Sequence, residues 1–262
     1  MMNVKFTIIA FFSIIMLSLS ANEREDLLKN FKKENIAAEK VFQDAETQIE
    51  LTGAAGNLWN IAESQLLRAL DYKLRHTTRA EERLHILSDF YRFSRKVQKV
   101  YETPRENMGS GAGMQIYHNI AQRMQQHTAV LMLDPESEKR WRQISDAEVN
   151  LGEKTIKLSN GVANFNSVMH NQKVNLEILL FPKDTFSYQN CIFAIIRTDI
   201  PFAGNDDFSR VYLCELKKSK LLVHSICDFP LITKWELQES CLLFFSQDKL
   251  QKIQLKNPMK KK

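Results

Sequence analysis

The spacing of the apolar residues changes once along this 262-residue chain, and that change restricts its fold more than any motif does. A helix that buries one face shows apolar residues at three and four; a half-buried strand shows them at two. From about Ala21 to Ser145 the first pattern holds. Leu28, Phe31, Ala38, Val41, Phe42, Ala45 and Ile49 form one stripe, and Leu58, Ile61, Ala62, Leu66, Ala69 and Leu70 a second. Leu84, Leu87, Phe90, Tyr91, Ser94, Val97 and Tyr101 form a third; Met114, Tyr117, Ala121, Met124, Thr128 and Leu131 form a fourth. Asp134 and Pro135 stand as N-cap and first helical residue of a short final helix through Trp141.

Beyond Val149 the pattern becomes that of strands. Asn160-Gly161, between "TIKLS" and "VANF", fits a tight turn with positive φ. "VNLEILLF", "CIFAIIR", "VYLCEL", "LLVHSI", "CLLFF" and "LQKIQL" are β-rich runs of strand length. The connectors at 217–220 and 246–249 are short enough only for antiparallel neighbours. About eight strands are expected, as a meander, sandwich or small barrel. The fold class is therefore α+β, an antiparallel helical domain followed by an antiparallel β domain.

Charge excludes one class of function. The formal charge is +5, yet Ala21–Ala147 carries 19 basic and 19 acidic residues, and Glu148–Lys262 carries 16 and 12. Four of those basic residues lie in the last seven, so the folded part has no basic excess for nucleic acid. The tail at 257–262 reads as a solvated end. At the other terminus Lys5 precedes an apolar run from Phe6 to Leu17, with small residues Ser18 and Ser20 placed for cleavage near Ala21. This is the form of a secretory signal, shorter than the about 20 apolar residues of a spanning helix. No membrane span is expected after processing, and the destination is periplasmic or secreted.

Four cysteines lie in the second half, Cys191, Cys214, Cys227 and Cys241, spaced 23, 13 and 14 apart without a C-x-x-C. In an oxidising compartment they are disulfide candidates, and at least one bridge is expected. The six histidines form no H-E-x-x-H and are not spaced as metal ligands on one helix face. There is no G-x-S-x-G. "GNDDFS" at 204–209 offers too few oxygens for calcium and reads as a turn. "MGSGAGMQIYHN", at 108–119, lacks the preceding strand and the Lys-Ser/Thr pair of a phosphate loop. Its glycines join two antiparallel helices, about 79–103 and 114–132, with Leu87 and Tyr91 expected to pack against Tyr117 and Met124. No metal and no cofactor is expected.

"TQIELTGAA" (47–55), "AESQLLRAL" (62–70), "LSDFYRFSR" (87–95) and "GSGAGMQIYHNIAQRM" (109–124) occur in an order that resembles the N-terminal helical domain of the LprI-type lysozyme-inhibitor family. The resemblance covers about Glu46–Leu133. Ala54 and Ile120 stand where that family has cysteines, Tyr91 stands at a Trp position, and Lys96 replaces an Asp. Arg95 is retained. The resemblance implies an exported helical domain and, for some members, inhibition of lysozyme. A guanidinium such as Arg95 can clamp a partner's carboxylate, and with Gly109, Ser110 and Gly111 it makes up the candidate partner-binding site.

The expected organisation is a signal peptide (1–21), a helical domain (22–147), a β domain (148–256) and a basic tail (257–262). The expected function is that of an exported, non-enzymatic binding protein with a protein partner in the envelope, an inhibitor of a cell-wall hydrolase such as lysozyme. A structural or assembly protein of the envelope, and an envelope hydrolase with its site in the β domain, are the alternatives.

Overall fold

A computed structural model describes residues 3–102, 111–151, 154–169, 172–200, 208–230, 232–246 and 250–255. Side chains are described throughout these except at 3–21, 112, 167–169, 172–175, 198–200, 208–209, 227–230, 232–233 and 246. The side chains of the N-terminal apolar segment, the residues Gly109 and Ser110, most of the 204–209 stretch and the basic residues at 256–262 thus lie outside the described residues. Helices fill the first part of the chain and antiparallel-rich sheets the second: an α+β fold with a helical domain followed by a β domain. The chain divides into two compact units, Met1–Met132 and Leu133–Lys262.

The first unit contains α1 (Asn3–Gln43), α2 (Gln48–His76), α3 (Ala80–Tyr101) and α4 (Ala112–Leu131). Thr47 starts α2 with a capping box: its hydroxyl accepts from the Glu50 amide, and the Glu50 carboxylate accepts from the Thr47 amide at 2.9 Å. Ion pairs set α1 against α2, Glu34–Arg68 at 2.6 Å and Glu23–Arg75 at 2.8 Å, so the two run antiparallel. Near the start of the described side chains, Arg24 donates twice to the Met132 carbonyl just past α4. Phe42, at the end of α1, meets His118 near the start of α4, so that pair is antiparallel too.

α2 and α4 run in the same direction and make the most extensive packing of the unit. Small residues allow it. Ala55, Ala62 and Ala69 on α2 and Ala121 on α4 are fully buried. Gly113 faces the Thr52 methyl, and a side chain at Gly56 would meet the Tyr117 ring. The second expected stripe, Leu58 to Leu70, lies in this core, as do Ala121, Met124 and Leu131 of the fourth. The first stripe is only partly buried: Phe31 and Ala38 are inside, while Val41 and Ile49 are exposed.

α3 departs further from expectation. Its covered face is Ile86, Phe90, Phe93, Val97 and Val100. Leu87 and Tyr91 do not pack against Tyr117 and Met124; they are 44% and 62% exposed, and Leu84 is 67% exposed. Helix α3 carries two apolar stripes at helical spacing, and the bulkier Phe stripe takes the core. The Phe93 ring stacks on His127 of α4, with centroids 4.3 Å apart. Tyr101 and Tyr117 both meet Trp59, which brings the end of α3 to the start of α4. The two helices are antiparallel, with the glycine stretch between them. Gly111 is the N-cap of α4 at φ −83, so its backbone does not require glycine.

The second unit opens with α5 (Pro135–Ile144), capped by Asp134, whose carboxylate accepts from the Ser137 amide at 2.8 Å. Its buried side chains, Trp141 and Ile144, group with the strands that follow. These are β1 (Glu148–Leu151), β2 (Lys154–Lys157), β3 (Val162–Met169), β4 (Gln172–Leu179), β5 (Thr185–Tyr188), β6 (Cys191–Ile200), β7 (Phe208–Lys217), β8 (Lys220–Pro230), β9 (Ile232–Gln238), β10 (Cys241–Ser246) and β11 (Leu250–Gln254). Three of the eleven, β1, β2 and β5, are four residues long, too short for an alternation to register in sequence.

Six strands form one sheet in the order β2-β1-β8-β7-β6-β5; β9–β11 form a second sheet, and β3–β4 a third. Among the described residues all strand pairs are antiparallel except β1–β8. Phe193, Ile195, Val211 and Leu213 of the large sheet pack on Leu242, Phe244 and Ile253 of the three-stranded sheet, a sandwich core. The alternate residues Ala194, Ile196 and Cys214 are buried as well, so β6 and β7 are covered on both faces. Buried Asp184 ties the layers together. It accepts from Trp235 Nε1 on β9 at 2.9 Å and from Arg197 on β6 at 3.3 Å.

Candidate functional site

Three two-residue turns with left-handed backbone stand in this second unit: Asn160-Gly161 (φ 53, 77), Gln189-Asn190 (φ 47, 62) and Lys218-Ser219 (φ 48, 65). Positive φ at both central residues is the type I′ turn, whose twist matches that of paired strands. The second and third close the β5–β6 and β7–β8 hairpins. The first has the expected geometry but a different role. Its flanks touch only through a Ser159–Val162 bridge; β2 pairs with β1 and β3 with β4. It therefore carries the chain from one sheet to another.

These turns position the exit of α5. The Gly161 amide donates to the Ser145 carbonyl at 2.7 Å, and the Asn160 amide to the Asp146 carboxylate at 2.9 Å. The Glu148 amide donates to the Ser219 carbonyl at 3.1 Å. Between them lies a basin of about 670 Å³, lined by Arg142 and Asp146 from the α5 end, Asn190 and Cys191 from the β5–β6 turn, and Glu215 to Ser219 from the β7–β8 turn. That volume is in the range of a small-ligand or side-chain pocket. A smaller depression of about 320 Å³ shares the Glu215 and Lys217 wall and reaches His224.

Three cations meet two carboxylates in the basin, and both carboxylates are engaged. Glu215 pairs with Lys217 at 3.0 Å, and Asp146 accepts from the Asn160 amide. Arg142 is held by Glu138 at 2.5 Å. Lys218 is exposed at the turn. With Arg142 paired to Glu138 and Lys217 to Glu215, Lys218 is the cation of the lining that makes no ion pair among the described residues, and Asp146 is the carboxylate that faces no cation there. Its one thiol is not a nucleophile in waiting. Partial burial and a hydrogen bond to the Glu215 carboxylate raise the Cys191 thiol above its ordinary pKa, with Lys217 opposing, so it stays protonated at neutral pH.

Cys214 and Cys241 lie outside the basin lining. Burial pushes the Cys214 thiol up to about 12. Cys241 donates to Gln254 Oε1 at 3.0 Å across the β10–β11 pair. Cys191, Cys214 and Cys241 are free thiols, so the expected bridge does not join any two of these three; the Cys227 side chain lies outside the described residues. They sit at a turn, inside the large sheet and on the separate three-stranded sheet, respectively.

Of the sequence-derived partner site, Arg95 and Gly111 are described. Arg95 is exposed on α3, its guanidinium 5.7 Å from the Tyr91 ring centroid. Gly111 caps α4. Among the described residues no group of three His, Cys, Asp or Glu could hold a metal ion, and no helix is long and apolar enough to cross a membrane. The basin was missed in sequence because its residues, from Arg142 to Ser219, share no spacing; the Lys218-Ser219 turn was its one visible part. Comparison with models of known families, with curated proteins and with solved structures yields no match to this chain.

Proposed function

We propose that the chain is an exported, non-enzymatic binding protein whose β unit receives an acidic group of a protein partner in the cell envelope. The observation that carries this is the basin: Arg142 near the end of α5 and Lys217 and Lys218 at the β7–β8 turn stand around it, and its thiol is held protonated. Binding sites concentrate on loops held by a rigid scaffold, and the two turns that line the basin each close a hairpin of the large sheet. A cell-wall hydrolase such as lysozyme is the partner class that the resemblance of residues 46–133 suggests. The N-terminal apolar segment supplies the route of export.

The test uses protein recovered from the expressing cell. N-terminal sequencing is expected to start near Ala21 or Asn22. Arg142→Glu with Lys218→Glu is expected to weaken capture of the envelope partner tenfold or more, as loss of charge complementarity does, while helix and strand content stay constant. Capture unaffected by the reversal contradicts the basin; inhibition of lysozyme by the wild type, lost in the double variant, supports the hydrolase partner. A second reading, a structural or assembly protein, is favoured by one observation, the exposed Leu84–Leu87–Tyr91 stripe of α3.

A further inference from the structure

We propose that α3 is a self-association surface: the stripe Leu84, Leu87, Tyr91 of one molecule packs antiparallel on the same stripe of a second copy. The inference is independent of what the basin binds. The three residues lie at i, i+3 and i+7, on one face of the helix, about a third of a turn from the covered Phe90–Phe93–Val97 side. Two leucines and a tyrosine at 67%, 44% and 62% exposure form a continuous apolar strip on a helix otherwise rich in charge. Scattered exposed apolar residues are ordinary, but a contiguous strip with polar edges marks an interface.

The charges along α3 identify the partner as a second copy. The half from Ala80 to Phe90 has Glu81, Glu82 and Asp89 against one arginine, Arg83; the half from Tyr91 to Tyr101 has four cations and no carboxylate. A parallel pair would set like charge against like. An antiparallel pair about a two-fold axis between Leu87 and Tyr91 sets each Leu87 against the partner's Tyr91 and each acidic half against a basic half. Glu81 and Arg95 lie on the same flank of the strip, since about four turns separate them. Across the axis, Glu81 of one copy falls near Arg95 of the other. Such an isologous contact satisfies each charge twice. A strip this short is smaller than the about 800 Å² per partner of a standard interface, so the dimer forms by mass action at high concentration.

The test is sedimentation velocity of the protein recovered from the expressing cell, across about 1 to 300 μM, the range over which an interface below standard size exchanges. The wild type is expected to shift from monomer to dimer. Leu87→Glu, at an exposed position, is expected to raise the midpoint at least tenfold. Glu81→Lys and Arg95→Glu are each expected to raise it severalfold at low salt, and the double variant to return it towards the wild-type value. A heterologous partner gives no such rescue. Three results overturn the proposal: a wild type that stays monomeric throughout, as it would if the chain's own N-terminal segment covered the strip; a Leu87→Glu protein that dimerises like the wild type; or a charge-swapped double variant weaker than either single one.

Discussion

The two units solve burial in opposite ways. In the helical unit a parallel pair, α2 and α4, closes tightly over alanines and glycines, and α3 is laid on with its Phe90–Phe93–Val97 side, leaving a second apolar face outside. In the β unit, strands β6 and β7 are covered on both faces, and two-residue turns with positive φ close the β5–β6 and β7–β8 hairpins. A loosely held helix with a spare face suits association; a set of fixed turns around a basin suits recognition. The difference teaches where function is to be sought in each: on the side of an element in the first unit, and at the ends of elements in the second.

The largest expected effect sharpens the contrast in packing. Phe244→Ala in the sandwich core is expected to cost about 3–5 kcal/mol, because the fully buried ring leaves a cavity that the two sheets cannot close. Tyr91→Ala on α3 is expected to change stability by less than about 0.5 kcal/mol. Denaturant unfolding of the two variants checks both.

The second effect separates the units by pH. His127 is buried against Phe93 with Nε2 unpartnered, and burial lowers its pKa to about 4 although the Asp89 carboxylate works in the other direction. Its pKa in the unfolded chain is about 6.5. As pH falls below 6.5 the unfolded chain takes up the proton first, so stability is lost progressively down to about pH 4, by roughly 3 kcal/mol in total. Above pH 6.5 the histidine contributes no pH dependence. Circular dichroism of the helices between pH 7 and 4 is expected to show this loss, and His127→Phe to abolish it; an unchanged profile in that variant breaks the assignment.

Much of this was legible in the sequence. The change of period near Val149 separated helices from strands, Asp134-Pro135 marked the start of α5, and Asn160-Gly161 took the positive φ its residues favour. The side of α3 that faces the core was not legible, because Leu84–Leu87–Tyr91 and Phe90–Phe93–Val97 are both periodic and only the neighbouring helices decide between them. Nor was the β1–β8 parallel pair, which joins residues about 70 positions apart and leaves no local signal. The basin escaped for the same reason: its charges come from the α5 exit and from the β7–β8 turn, about 70 positions apart.

Smaller effects refine the β unit. Trp235→Phe removes the 2.9 Å hydrogen bond to buried Asp184 and is expected to cost about 1–3 kcal/mol, the penalty for a buried acceptor that loses a donor; thermal unfolding measures it. Replacing the caps is expected to cost about 1 kcal/mol each, Thr47→Ala through α2 and Asp134→Ala through α5. Equal losses would show that local capping is alike in the two units and that their difference lies in tertiary packing.

The most direct measurement of the central claim, recognition at the turn-lined basin of the β unit, is the affinity of the captured envelope partner for the wild type, for Arg142→Glu/Lys218→Glu and for Leu87→Glu. The account predicts a loss of tenfold or more for the basin variant and an unchanged one-to-one affinity for the α3 variant. Wild-type affinity in the basin variant, or its loss on changing Leu87 alone, would contradict it.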